Sequence, residues 1–333
     1  MGEGESDDSP RRWASGRMRQ GPIILPQIDA NVKSYFLQTT YGDDCDGGCC
    51  MNGNPNEQVV IDTALLARLL AQQFPQWAEL SVVPVIPGGN DNRTFRLGEA
   101  MAVRIPSGPA YAEHVSLEFE WLPKLAPYLP LPIPRPLALG KPMDVLPWPW
   151  LINPWLQGEA AAGVHIADWI LFARDLAGFL NALQDIDATG GPPPGEHNFF
   201  RGGSLSMYDQ QSRNCIDALR EEIDVFRATE VWEEALRFTW QRPPVWVHGD
   251  IAPDNLLIEN GKLCAVIDFG QMAVGDPACD LTIAWTLLLG DARETFRQEL
   301  PLDAATWSRA RGWGLWKALL TLRKHRATNS ATA

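Results

Sequence analysis

Val245-Trp246-Val247-His248-Gly249-Asp250-Ile251-Ala252-Pro253-Asp254-Asn255-Leu256-Leu257-Ile258 is the stretch on which the reading of the whole chain turns. A short apolar run delivers a polar loop and a second apolar run leaves it, so the pattern predicts strand, loop, strand. Asn260-Gly261 follows, a pair that strongly favours a two-residue hairpin turn because both central positions need a positive φ. The return run, 263–267, ends on Asp268-Phe269-Gly270. Two acids and an asparagine, Asp250, Asp268 and Asn255, are therefore expected at the ends of one small β-structure.

Phosphoryl transfer needs that set: one carboxylate to accept a hydroxyl proton, and oxygen ligands for Mg²⁺. The Asp250-x4-Asn255 spacing and the Asp268-Phe269-Gly270 element match the catalytic and magnesium loops of kinases. Each alone has a plainer account, as a capped turn or a strand end. Jointly, with Asp268 only 13 residues beyond Asn255, they are hard to explain as structure alone.

Working outward, Gly275-Asp276-Pro277-Ala278-Cys279-Asp280-Leu281 begins within five residues of Gly270. That leaves no room for the activation segment that protein kinases place after their magnesium loop. On His248-Gly249-Asp250, Asn255, Ile267-Asp268-Phe269-Gly270 and this last motif, the chain resembles the aminoglycoside phosphotransferase family of small-molecule kinases, relatives of choline and macrolide kinases. The resemblance runs from about Asp62 to Arg323. It is similar in particular to a branch carrying Pro147-Trp148-Pro149-Trp150 and Gly195-Glu196-His197-Asn198-Phe199-Phe200-Arg201-Gly202. The resemblance implies that Asp250 is the catalytic base and that Asn255 and Asp268 hold Mg²⁺ ions bridging the phosphates of ATP. His248 is read as packing and hydrogen bonding to fix the loop. Asp276 and Asp280 are read either as loop supports or as helix caps, and Asp254 as a turn residue or a substrate contact.

On the nucleotide side the sequence departs from the kinase pattern. The strand that would carry a phosphate-contacting lysine reads Met101-Ala102-Val103-Arg104, which puts Arg104 in that position. Arginine keeps the charge but is bulkier and forked. Its helix partner is expected to be Glu118, with Glu120 the alternative about 200° round the helix. Gly88, Gly89, Asn90 and Asn92, in a turn-rich tip between two strands, would cover the phosphates. Residues 151–155 would form the hinge, with Ile152 and Trp155 reading adenine through backbone groups, since Pro154 has no N–H.

The rest of the chain supports an α+β protein in two lobes. Asp62 can cap a helix with Leu65, Leu66, Leu69, Leu70 and Phe74 at helical spacing. Strands are expected at 82–86, 93–97 and 101–105, and helices at 111–125 and 168–183. The proline-dense stretch 127–154 reads as extended connection or edge strand. Strands come first and helices after about residue 156. With the resemblance, this implies a bilobal protein-kinase-like fold: a small β-rich nucleotide-binding lobe, 56–155, and a larger, mainly helical catalytic and acceptor-binding lobe, 156–333. Residues 1–55 lack apolar periodicity and read as an extension, with Met51 as the expected true start. Cys45, Cys49 and Cys50 fall short of the four ligands that a structural zinc site wants. Cys215, Cys264 and Cys279 are scattered and read as small buried apolar residues.

With 28 Lys+Arg against 41 Asp+Glu, the net charge of −13 argues against nucleic acid or an anionic membrane as a partner. No apolar run reaches the roughly 18 residues of a membrane span. The first 30 residues carry no apolar secretory core, so the cytoplasm is the default compartment. The partner implied is a small hydroxylated acceptor. Acids among residues 204–240 would suit a polycationic aminosugar, or else form a solvated face with pairs such as Arg220 and Asp224. Trp285, Trp313 and Trp316 read as pocket lining or core. Three functions stay open: an ATP- and Mg²⁺-dependent kinase of an aminoglycoside or related antibiotic; the same chemistry on an amino alcohol or sugar; and nucleotide binding without catalysis, which Arg104 motivates.

Overall fold

The computed structural model describes residues 59–86 and 91–331, with side chains to residue 326. The expected start at Met51, the cysteine-rich stretch, and Gly88, Gly89 and Asn90 lie outside the described residues. Helix α1 (Thr63–Gln73) starts where the Asp62 carboxylate accepts the Leu65 N–H at 2.7 Å. Strands β1 (Val82–Pro84), β2 (Asn92–Leu97) and β3 (Met101–Pro106) follow, then helix α2 (Ala112–Leu125). Strands β4 (Ala138–Gly140) and β5 (Trp150–Pro154) complete a five-stranded antiparallel sheet in the order β1-β2-β3-β5-β4. Helix α2 begins one residue later than its periodicity predicts, because Pro109 opens a single 3₁₀ turn over Pro109–Tyr111. In the proline-dense stretch only β4 is an edge strand. β5 lies inside the sheet, and its one proline, Pro154, is tolerated because it is the last residue of the strand. A core of Leu66, Leu69, Phe95, Leu97, Val103, Ile105, Trp150 and Ile152 joins α1 to this sheet.

The second lobe is mostly helical. Asp168 caps α3 (Trp169–Asp185), accepting the N–H groups of Ile170 and Leu171, and the helix buries Phe172, Leu176, Phe179, Leu180 and Leu183. Beyond it come α4 (Asp209–Ala218), α5 (Val225–Leu236), a short α6 (Ile283–Thr286), α7 (Gly290–Glu299) and the long α8 (Ala304–Ala331). Between α5 and α6 run the short strands that carry the motif. Of these, β8 (Leu256–Glu259) and β9 (Lys262–Val266) form one sheet with the earlier β6 (Glu159–Ala160), which precedes α3, and β7 (Val245–Val247) pairs with β10 (Ala273–Gly275). The hairpin between β8 and β9 turns at Asn260 and Gly261, with φ of 52° and 76°, the double positive value expected of Asn-Gly.

The larger core includes Trp232, Trp246, Phe269, Phe296 and Trp313, and it also takes in Leu122 and Leu125 from α2. Helix α2 therefore packs into the helical lobe at its C-terminal end, where the Trp121 ring lies 4.9 Å from that of Trp246. Arg220 does not pair with Asp224. It bonds Asp217, because Asp224 is the N-cap of α5 and its carboxylate accepts the Arg227 N–H at 3.0 Å. Among the described residues, no helix is long and apolar enough to cross a membrane.

Candidate active site

The loop after β7 is shaped by one glycine and one buried acid. Gly249 has φ +87°, and a Cβ there would stand 2.1 Å from the Gln271 carbonyl oxygen, so only glycine passes. The Asp280 carboxylate, itself buried, accepts the backbone N–H groups of His248 at 2.7 Å and Gly249 at 2.8 Å. His248 is fully buried; its Nδ1 accepts the Asp250 N–H at 3.2 Å while its Nε2 lies 3.0 Å from the Ile267 carbonyl. That pairing places the ring proton on Nε2 and makes the imidazole a brace between the two loops. Asp276 caps the turn at Ala278 and forms a buried pair with Arg309, at 2.6 and 3.1 Å.

Asp250 emerges from this frame, about 8% exposed. Asn255 donates its Nδ2 hydrogens to the Asp250 carbonyl at 2.9 Å and to Oδ2 at 3.3 Å, which leaves its Oδ1 as the atom for a cation. The Ile267 N–H donates to the Asn255 carbonyl at 2.9 Å and brings Asp268 beside it. Asp268 itself adopts φ 66°, a left-handed conformation that residues other than glycine take up at a cost of about 1–3 kcal/mol. Among the described residues, no three His, Cys, Asp or Glu side chains converge to hold a metal. An amide oxygen and one carboxylate fit Mg²⁺, which keeps waters and takes phosphate oxygens as its other ligands.

Three further charged groups bear on Asp250 and Asp268: the sequence reading missed Lys317 and Arg201 as site residues and had Asp91 only as part of the tip expected to cover the phosphates. Lys317 on α8 donates to Asp250 Oδ1 at 2.9 Å. Burial pushes the Asp250 carboxyl up, but the charges of Lys317 and then Arg201 outweigh it and hold the group below the usual aspartate value. Arg201 sits on the loop Gly195–Gly202. Phe199 and Phe200 there both adopt φ 51°, a strained pair of the kind found where a loop must aim a side chain. The Arg201 Nε donates to Gln271 Oε1 at 3.1 Å, and its guanidinium lies 4.6 Å from the Trp316 ring. Asp91, from the tip before β2, has a carboxyl pushed up to about 7, first by burial and then by the charges of Asp268 and Asp250. Asp254 is likewise raised to about 6 by burial, with Lys317 pulling it down and Asp250 pushing it up. No local pattern announces Lys317, which lies 67 residues beyond Asp250. The strained loop was visible only as an unexplained motif.

On the opposite wall Arg104 donates from Nη1 to both oxygens of Glu118, at 2.9 Å each, and from Nη2 to Asp268 Oδ1 at 2.5 Å. Glu120 faces the other way, paired with Lys124 at the surface. Burial works against the Arg104 charge, but Glu118 and Asp268 prevail and push its pKa up. His114 of α2 bonds the His197 carbonyl and ties the same helix to the Gly195–Gly202 loop. Asn92 opens β2 opposite Pro106. Ile152 and Trp155 are placed differently from the expected hinge. The Ile152 carbonyl accepts the Leu137 N–H at 2.7 Å inside the sheet, and the Trp155 N–H donates to the Ala100 carbonyl at 2.8 Å. The Trp155 amide is therefore spent on the sheet end.

The acids between 204 and 240 are largely neutralised. Asp209 and Glu233 pair with Arg213, Asp217 with Arg220, Glu222 with Arg326, Glu230 with Arg227, and Glu234 with Arg311. Trp313 and Trp316 are buried and belong to the core.

A β-rich lobe whose strand carries Arg104, joined through the Arg104–Asp268 ion pair to a mainly helical lobe, makes a kinase-like phosphotransferase fold. The chain matches the family described as the phosphotransferase enzyme family over residues 82–313, and it belongs to that family. It is 38% identical over 153 residues to an aminoglycoside 3'-phosphotransferase of Escherichia coli, covering 42% of this chain and 52% of that protein. A second Escherichia coli aminoglycoside 3'-phosphotransferase is 28% identical over 189 residues, 53% of this chain and 65% of its own. The chain thus spans about half to two thirds of the curated relatives it matches. Among solved structures, the GDP and kanamycin complex of APH(2")-IIia aligns with a TM-score of 0.62 at 18% identity, over 80% of this chain and 94% of that one. The apoenzyme of macrolide 2'-phosphotransferase MphH from Brachybacterium faecium aligns at 0.51 and 22%, over 78% and 88%. At those identities the likeness is one of fold.

Proposed function

We propose that this protein transfers the γ-phosphoryl group of ATP to a hydroxyl of a small molecule, with Mg²⁺ as its metal. The observation that carries the reading is the Asp250 carboxylate: buried, kept ionised by Lys317 and Arg201, and held beside Asn255 and Asp268. An ionised carboxylate at that point accepts the acceptor's proton as the oxygen attacks. Asn255 Oδ1 and Asp268 would hold the metal, whose charge neutralises the phosphates when bound. Arg104, its two Nη atoms engaged by Glu118 and Asp268, would turn positive charge rather than a free fork toward the phosphates, and the tip with Gly88, Gly89, Asn90 and Asn92 would cover them. The lobes divide near residue 155 under this reading, with the nucleotide between them.

The names of the relatives support an aminoglycoside or related antibiotic as acceptor. One observation favours a second reading, a less cationic acceptor such as a sugar or amino alcohol. The acids that would attract a polycation are already paired with arginines. A mass-spectrometric screen for a phosphate adduct across hydroxylated metabolites and antibiotics, with MgATP as donor, decides between them. Asp250→Asn is expected to lower turnover by about 10³-fold or more while calorimetry shows ATP binding retained. Turnover kept by that variant refutes the assignment of the base.

A further inference from the structure

Building on the phosphotransferase reading, we propose that Lys317 of α8 is a catalytic residue, its ammonium spanning the Asp250 carboxylate and an oxygen of the phosphoryl group in transit. The loop between the base and Asn255 reads Ile251-Ala252-Pro253-Asp254 and contains no cation. Any side-chain cation acting on the transferring group beside the base, in addition to the metal and Arg104, must therefore come from outside this loop, and positioning and electrostatics are nearly all a protein contributes to this reaction. A hydroxyl held by Asp250 attacks phosphorus from about 3–3.5 Å. The phosphoryl oxygens therefore pass within one side-chain length of the carboxylate.

Lys317 Nζ is 2.9 Å from Asp250 Oδ1, and the two side chains keep 17% and 9% of their surface exposed. Its position is not left to a loose surface helix. Trp313, one turn earlier, and Trp316, the preceding residue, are buried, with the Trp316 Nε1 donating to Gln211 Oε1 at 2.7 Å. Farther back Arg309 locks to Asp276. The neighbouring guanidinium groups have other bonds: Arg201 with Gln271 and the tryptophans, Arg104 with Glu118 and Asp268.

The charge sequence explains why a lysine belongs there. Before transfer its charge and that of Asp250 compensate each other. As the acceptor oxygen forms its bond to phosphorus, the hydroxyl proton passes to Asp250. The bond from phosphorus to the β-phosphate's bridging oxygen breaks, its electron pair leaving with ADP. Asp250 is then neutral, and the ammonium, still protonated, is released from that carboxylate's charge toward the phosphoryl oxygens. The interaction strengthens along the reaction, which is the condition for raising turnover rather than binding.

The test compares wild type with Lys317→Met, Lys317→Gln and Lys317→Arg in the full chain, reading three quantities. These are turnover with the acceptor found by the adduct screen, ADP release to water without acceptor, and calorimetric affinity for MgADP with and without aluminium fluoride. The Met and Gln variants are expected to lose about 100-fold in kcat with KM for ATP changed by less than about threefold. They should bind MgADP as wild type does and lose most of the affinity gained on adding aluminium fluoride. Arg should recover at least about a tenth of the rate, because it restores charge without the same reach. Gln can still donate to Asp250, so it separates loss of charge from loss of a brace, and it serves if Met does not fold. A Gln variant with wild-type kcat, or with undiminished aluminium fluoride binding, overturns the role of Lys317 alone. A wild type that transfers phosphate to neither acceptor nor water overturns the phosphotransferase reading and this inference with it.

Discussion

At Arg104 a forked guanidinium performs what one ammonium cannot. It holds both oxygens of Glu118 and reaches Asp268 across the cleft, and all three distances are below 3 Å. Glu118 is chosen over Glu120 because only one can face the sheet; Glu118 is 2% exposed, while Glu120 pairs with Lys124 in solvent. Removing one partner of a buried pair strands the other charge at a typical cost of about 3–5 kcal/mol. Glu118→Ala should therefore lower the urea-unfolding free energy by about 3 kcal/mol or more, with Glu120→Ala within about 0.5 kcal/mol of wild type. Equal effects from the two would refute the assignment.

At the scale of elements, the catalytic loop is held by backbone geometry as much as by side chains. A methyl group at Gly249 meets a carbonyl oxygen at 2.1 Å, and no flexible neighbour can give way. Gly249→Ala should cost more than about 2 kcal/mol in thermal or chemical unfolding and abolish turnover. Helix α8, which carries Lys317, begins where Asp303 accepts the Thr306 N–H at 2.8 Å and its hydroxyl at 2.7 Å. Those bonds hold the Asp303 carboxyl below its ordinary 3.8. A depressed carboxylate stabilises the fold fully above the unfolded value and loses that contribution as pH falls through the folded one. Asp303→Ala should cost about 1 kcal/mol at pH 7, with the difference from wild type shrinking in acid unfolding measurements below pH 3.8.

For the whole molecule, α2 is the shared element of the two lobes. It places Glu118 on the sheet side and Leu122 and Leu125 in the helical core. A ligand that bridges the lobes should stabilise them together, by about 2.7 kcal/mol at one hundred times its Kd. MgATP should raise the melting temperature of wild type as one cooperative transition, and raise that of Glu118→Ala much less at the same concentration. An equal shift in both would place the nucleotide away from Arg104. How far this arrangement was legible varies with sequence distance. Asp250, Asn255 and Asp268 could be read together because a strand, a loop and a two-residue hairpin bring them close within 19 residues, and local φ/ψ preferences suffice for that. The cap at Asp62, the α2 face with Glu118, and the Asn260-Gly261 turn are local in the same sense. The inside position of β5 and the Trp155 amide bond to Ala100 depend on strand order, which no single strand encodes. Arg201, Lys317 and Asp91 bear on Asp250 and Asp268 from a strained loop, a distant helix and a hairpin tip. The sequence by itself determined that Asp250, Asn255 and Asp268 come together, because those groups are neighbours along the chain. Only the tertiary structure decided which charges surround them, because Coulomb interactions act through space and ignore sequence separation.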